Sequence, residues 1–272
     1  MRVLPIYVFC IVSFVFVQDD LSLTFYQDQL LHANDNVIQK FPDVVAEDDY
    51  ILHITWMEQE NGHKNILYCK SFDGGTSFSD PVQVNHLDNH IVAYIQAGPK
   101  IRVRGEEILI LFMDDRTGWT SPYLSSSVDG GETWQEEIIL SDQPYLNAYP
   151  DMEVDIMGRI HISYYNYNVN YSLQDVRYTY TLPGGIEFMP SETLGIVSET
   201  AEPCDCCQPD MAISANGDVY LAYRNNIENI RDHYMVVRTY GDPYFSDPVQ
   251  VSQHNDFIDF CPSSGPSITV TE

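Results

Sequence analysis

Two stretches of the chain write nearly the same turn: "KSFDGGTSF" at 70–78 and "SSVDGGETW" at 126–134. One Asp-Gly-Gly is ordinary turn chemistry, because glycine accepts positive φ cheaply and Asp bonds its own backbone. Two copies in register, with the same preceding Ser and closing aromatic, define a repeat instead. Each copy closes a β-rich unit opened by a proline, in "FPDVV", "GPKIRV", "YPDMEV", "QPDMAI" and "GPSITV". Pro42, Pro99, Pro150, Pro209 and Pro266 recur about every 50–60 residues, a period long enough for one supersecondary unit. The third turn, "TLPGGIEF", puts Pro183 where the Asp stood, and the fourth, "TYGDPYF", is one residue shorter.

Every unit has the same internal grammar. A short strand follows the proline (Val44-Val45, Ile101 to Val103, Met152 to Val154, Met211 to Ile213) and ends in a polar turn such as Asn216-Gly217. A strongly apolar strand comes next ("YILHITW", "ILILFM", "RIHISYY", "VYLAYR"), then a polar loop and a third strand running into the Asp-Gly-Gly turn. A fourth, edge-like strand closes the unit, as "PVQV" does at 81–84 and again at 248–251. Short β-branched and aromatic runs between Gly, Pro, Asn and Asp are strand signals, and no helical period competes with them. The expected fold is all-β: a β-propeller of four-stranded blades, four in number plus the first strand of a fifth. A parallel β-helix is the alternative, although its period is much shorter.

The pattern Ser-x-Asp-Gly-Gly-x-Thr/Ser-Phe/Trp, met in full at Ser71 to Phe78 and Ser127 to Trp134, resembles the Asp-box, or BNR repeat, of the sialidase superfamily. The likeness extends over about 41–272 and is to bacterial-type secreted members. It implies that Ser71, Asp73, Gly75, Phe78, Ser127, Asp129, Gly131 and Trp134 are structural, on the face opposite any active site. It also implies six blades when complete, so the chain is expected to stop short at its C-terminus. A segment of that kind would expose sheet edges and be poorly stable alone.

Strand alternation places the candidate chemistry. With the Asp-Gly-Gly turns at the bottom, the loops between second and third strands lie on top, as do the links between blades. These hold Asp114, Asp115, Arg116, Arg224 and Arg231, with Glu58, His90, Tyr149 and Tyr165. Arginine's planar fork clamps carboxylates, and the resembling sialidases use an arginine triad, a tyrosine nucleophile paired with Glu, and an Asp acid/base. On that likeness Arg116, Arg224 and Arg231 would hold an acidic sugar and Asp115 would transfer the proton; Tyr165 is the other catalytic candidate, and no Tyr–Glu pair is assigned as nucleophile. The bland alternative is that Asp114/Asp115–Arg116 and Arg231–Asp232 are local ion pairs. The Phe/Tyr-Arg-Ile-Pro segment of catalytic sialidases is absent; "KFPDV" and "AGPKI" stand in comparable places. Two functions therefore remain open: a sialidase-like glycoside hydrolase on sialylated or other acidic glycans, and a non-catalytic propeller that binds a glycan or protein.

Cysteines form a second constellation. "PCDCCQPD" supplies Cys204, Cys206 and Cys207, and "DFCPSSGP" supplies Cys261, both in blade-to-blade links. One bridge from the cluster to Cys261 is expected; a vicinal Cys206–Cys207 bond and a thiolate metal site are alternatives. Cys69, on a strand, reads as a buried free thiol. His53 and His161 fall inside second strands and read as bonded within a blade. No cofactor and no metal is assigned.

Composition narrows the partners. Lys plus Arg total 13 against 40 Asp plus Glu, for a net charge of −27, which argues against nucleic acid. A glycan or glycoprotein is the expected partner. The opening "MRVLPIYVFCIVSFVFVQDD", one Arg and about fifteen mostly apolar residues, suits an export signal over 1–18 and is short for a membrane span of roughly 20 residues. Residues 19–40 then form a lead-in to the propeller. The chain is expected to be secreted, periplasmic or at the cell surface, with no stable membrane span once mature.

Overall fold

Strand β7 (Glu107–Asp114, "EILILFMD") is apolar without interruption from Ile108 to Met113, and its packing explains the architecture. Ile108, Ile110 and Phe112 enter one hydrophobic layer, with Met57, Ile66 and Tyr68 of the preceding sheet. Leu109 and Leu111 enter a second layer with Met152, Ile160, Ile162 and Tyr164 of the following sheet. Side chains alternate across a strand, so a continuous apolar run means a sheet covered on both faces. Fully burying such a side chain is worth about 1.5–3 kcal/mol.

The computed structural model describes residues 36–141, 146–168, 170, 174–194 and 203–271. Segment 1–18, expected to be an export signal, lies outside the described residues, as does most of the expected lead-in. The described residues form four antiparallel sheets and no helix. The first sheet is β1 (Ile38–Ala46), β2 (Leu52–Glu60), β3 (His63–Ser71) and β4 (Val82–Gln83). The second holds β5 (Ile91–Val92), β6 (Lys100–Arg104), β7, β8 (Ser121–Ser127) and β9 (Ile138–Ile139). The third is β10 (Leu146–Val154), β11 (Ile160–Tyr167), β12 (Gln174–Tyr180) and β13 (Glu192–Thr193). The fourth is β14 (Asp210–Ile213), β15 (Val219–Arg224), β16 (His233–Arg238) and β17 (Val249–Gln250). The chain is thus an all-β propeller of four-stranded blades, with β5 an extra strand on the second. Strand β1 begins inside the segment read as a lead-in.

Strands β1, β6, β10 and β14 lie side by side at the inner ends of their sheets. A third hydrophobic layer, built from Tyr165, Val176, Tyr178, Met211, Leu221, Tyr223 and Val236, joins the third and fourth sheets. The marker prolines carry a latch between neighbours. Asp43 Oδ2 accepts the Ile101 N–H at 2.8 Å, Asp151 Oδ2 the Met211 N–H at 2.9 Å, and Asp210 Oδ2 the Ile268 N–H at 2.6 Å. Each Asp directly follows its proline and reaches the residue two after the next one. The second sheet has Lys100 in that place, 3.6 Å from Asp151. Residues 266–271 form no strand, yet Ile268 is held as the opening residues of the described blades are.

The two Asp-Gly-Gly turns are built alike. Ser71 Oγ donates to Asp73 Oδ1 at 2.8 Å and accepts the Gly75 N–H, and Asp73 accepts the N–H and Oγ–H of Ser77. Ser127 and Asp129 repeat this with Gly131 and Thr133. Hydrogen bonds from Ser77 draw the Asp73 carboxyl down to about 2, and those from Thr133 depress Asp129 further. The closing aromatics differ in use. Phe78 packs on Ile54, Trp56 and Cys69 of its own sheet, whereas Trp134 meets Tyr68 of the first sheet edge-on at 5.3 Å.

Candidate functional site

The Asp-Gly-Gly turns follow the far ends of β3 and β8, while Arg116 and Arg224 lie at the opposite ends of their sheets, in or beside the hairpins β7–β8 and β15–β16. Fold residues and candidate site residues therefore occupy opposite rims.

On the loop-bearing rim the three arginines part company. Arg116 Nε and Nη2 grip both oxygens of Asp114 at 2.9 and 2.7 Å, and Nη1 meets Glu137 at 3.0 Å. Its guanidinium also lies over the Tyr123 ring, 4.6 Å from the centroid. The hydrogen bonds it donates to Asp114 hold Arg116 above its ordinary pKa. Burial pushes Glu137 up, but Arg116 and the His86 N–H together pull it below its usual value. Arg116 is committed to two buried carboxylates.

Arg224 and Arg231 are not. Arg224 ends β15, and its guanidinium donates to the Ser264 carbonyl at 3.1 Å, the Arg231 carbonyl at 3.1 Å and Ser264 Oγ at 3.4 Å. Arg231 is buried, with Nε on the Ile258 carbonyl at 2.8 Å and Nη1 on Cys204 Sγ at 3.0 Å. Every other described arginine is in an ion pair, namely Arg102, Arg104, Arg116, Arg159, Arg177 and Arg238. His233 stands opposite Arg224 in register, its buried Nε2 without a hydrogen-bond partner.

The two catalytic candidates stand in different surroundings. Asp115 is half-exposed and hydrogen-bonded to His90 Nδ1 at 3.0 Å. Tyr165 is sealed: its hydroxyl donates to the Pro203 carbonyl at 2.7 Å and contacts Gln174 at 3.1 Å, and burial pushes its pKa up. A phenol in that state is a weak nucleophile at neutral pH. Glu58 pairs with Gln39 across the first sheet. His53 and His161 bond within their blades, each with Nδ1 on a tyrosine hydroxyl (Tyr68 at 2.7 Å, Tyr178 at 2.6 Å) and Nε2 facing an acid (Glu47, Asp155).

Sequence reasoning named Tyr149 but not the tyrosines grouped with it. Tyr94, in the link into the second sheet, meets Tyr149 edge-on at 5.4 Å, and both pack with Tyr167 on Ala97, Met113 and Ala148. Burial pushes the Tyr149 hydroxyl up to about 12, with Tyr167, Cys207 and Asp205 near enough to add to the effect. Tyr149 adopts φ 51° at a β-bulge before Pro150, and Phe41 adopts φ 59° in the same place in the first sheet. Bulges re-aim side chains at sheet rims. The signal present in the sequence was the aromatic before a marker proline.

Cys206 and Cys261 form a disulfide, separated by 55 residues, as the bridge to Cys261 predicts. Cys204, Cys207 and Cys69 are buried free thiols, so the vicinal alternative is not formed. Three of these sulfurs crowd together: Cys204 lies 3.1 Å from Cys207 and 3.4 Å from Cys206. Arg231 contacts Cys204 at 3.0 Å, and Cys207 lies within electrostatic range of Arg224 and Tyr149.

No family model and no curated protein matches the sequence. Solved structures do share its shape. The α-L-arabinanase of Penicillium chrysogenum complexed with arabinobiose superposes with a TM-score of 0.54 at 16% identity, over 75% of this chain and 63% of that one. The GH93 α-L-arabinofuranosidase of Fusarium graminearum gives 0.55 at 16% identity, over 77% and 65%. The intramolecular trans-sialidase of Ruminococcus gnavus gives 0.56 at 11% identity, over 79% and 71%. The chain spans less than two thirds of the length of the first two. What it has in common with all three is the β-propeller fold.

Proposed function

We propose that this propeller recognises an acidic glycan, free or on a glycoprotein, on its loop-bearing rim, with Arg224 as the carboxylate-binding cation. Arg231 would support it from below, and Tyr94, Tyr149 and Tyr167 would offer the aromatic wall for a sugar ring. One observation carries the reading: Arg224 meets only carbonyl and hydroxyl oxygens in a chain with 40 acidic residues. A guanidinium left without a carboxylate of its own is matched to one from a ligand. Glycan-active enzymes among the proteins of like fold support the substrate class, and the disulfide fits an exported protein.

A hydrolytic version of the same reading would use Asp115, half-exposed and bonded to His90, as the group that transfers the proton to a leaving group. The test is titration with a sialylated and a glucuronate-terminated oligosaccharide, with arabinobiose as the neutral control and turnover followed in parallel. Acidic ligands should bind, and Arg224→Ala should weaken them at least about tenfold, the size of one charge-assisted contact. Equal binding of neutral and acidic sugars, or an Arg224→Ala variant with unchanged affinity, refutes the reading. Turnover abolished by Asp115→Asn with binding intact selects the hydrolase.

A further inference from the structure

The four cysteines of the rim hold one disulfide and two thiols within a single cluster. Cys204 Sγ is 3.4 Å from Cys206 Sγ, the sulfur bonded to Cys261. Cys207 Sγ is 3.9 Å from the same atom and 3.1 Å from Cys204. Cys204 and Cys207 are buried, whereas Cys261 is exposed. The Arg231 guanidinium touches Cys204 Sγ at 3.0 Å, and a cation beside a thiol favours the thiolate, the form that attacks disulfides.

Cys261 belongs to a strap, residues 255–264, that crosses both unpaired arginines. The Arg231 N–H donates to the Asp256 carbonyl, and the Ile258 N–H to the Asn229 carbonyl, each at 2.9 Å. Arg231 Nε holds the Ile258 carbonyl, and the Arg224 guanidinium holds Ser264 through its carbonyl and Oγ. The strap has no strand of its own, and Phe257 and Phe260 on it stay largely exposed. Its covalent fastening is the Cys206–Cys261 bond.

We propose that the cluster is an internal thiol–disulfide exchange site that unfastens this strap and uncovers Arg224. The Cys204 thiolate attacks Cys206 Sγ; a Cys204–Cys206 bond forms, the Cys206–Cys261 bond breaks, and Cys261 leaves as a thiolate that takes a proton from solvent. Cys207 then loses its proton and attacks Cys204 Sγ, forming Cys204–Cys207 and expelling Cys206. One disulfide and two thiols are present throughout, so no external oxidant or reductant is consumed. The C-x-x-C spacing of Cys204 and Cys207 is that of dithiols that close on themselves. Cys207 draws Cys204 downward, with Arg231 adding to it, and its own thiol is held up by the same contact, which orders attacker and resolver. That the exchange gates a glycan rests on the preceding proposal; the exchange itself does not.

The test maps disulfides on the intact chain, incubated at neutral pH without reductant, quenched in acid, then denatured and alkylated. The wild type should yield two connectivities, Cys206–Cys261 and Cys204–Cys207, the second in at least about a tenth of the molecules. Cys204→Ser, and independently Cys204→Ala, should yield Cys206–Cys261 alone. Finding only Cys206–Cys261 in the wild type, or both disulfides in the same molecule, overturns the proposal. Amide hydrogen exchange at Arg231 and Ile258 reads the strap: it should be at least about tenfold faster in Cys206→Ser/Cys261→Ser than in Cys204→Ser. Equal protection overturns the unfastening. Neither readout involves a sugar, so a failure of the glycan reading leaves both interpretable.

Discussion

At the scale of single residues, the Asp-Gly-Gly turn was legible because all its partners lie within four or so positions, and the sequence prints them together. Gly131 shows what lay beyond that range. It adopts φ +87°, and a Cβ there would sit 2.0 Å from the Tyr68 ring, a buried side chain of the neighbouring sheet. Gly131→Ala is expected to cost about 3 kcal/mol or more, through overpacking added to the left-handed backbone. Gly184→Ala, at φ +67° with no atom within 4 Å of the added Cβ, should cost only about 1 kcal/mol. Urea midpoints of the two variants decide whether the close approach or the φ angle dominates. His161 gives a second prediction at this scale. Burial lowers its pKa to about 4 despite Asp155, so between pH 6.5 and 4 the unfolded chain takes up a proton that the folded one refuses. Stability must fall as pH falls through that window, by about 3 kcal/mol in total. Asp210, raised to about 6 by burial and by Asp151, acts in the opposite sense over an overlapping window. The difference between wild type and His161→Gln removes that contribution. It should shift against the wild type by the stated amount between pH 7 and 4; a constant difference would show that His161 does not titrate as described.

Strands and sheets were the most readable level, and the reason is periodicity. The apolar run of β7 announced a strand, and the repeat of prolines announced the order of blades. Partners supplied from other elements could not be read. Arg116 draws Glu137 from beyond β8, Arg224 draws Ser264 from the strap, and no local pattern marks either pairing. The aspartate after each proline is the same kind of miss. Its position repeats in the sequence, yet its function needs the neighbouring sheet. Asp151→Ala should leave the buried Met211 N–H unsatisfied and free Lys100 of its partner, at a cost of about 1–3 kcal/mol. Asp151→Asn keeps an acceptor for that N–H and should recover most of the loss. If both variants are equally destabilised, the latch works through charge with Lys100 and not through the hydrogen bond.

For the whole molecule, the proposed ligand and the net charge pull in opposite directions. A chain carrying −27 repels an acidic sugar at long range, while Arg224 would attract it only at contact. Salt separates the two because the Debye length shrinks from about 30 Å at 0.01 M to about 8 Å at 0.15 M. The long-range repulsion is then screened, whereas a hydrogen-bonded contact near 3 Å is much less affected. The association rate of an acidic oligosaccharide should therefore rise several-fold across that range, the reverse of ordinary electrostatic steering between opposite charges. A neutral oligosaccharide of the same length should show no trend. Stopped-flow or surface-binding kinetics at matched pH measures both. An acidic ligand that associates more slowly as salt is added would mean that the rim attracts anions beyond contact range, and that the net charge, for all its size, does not govern capture.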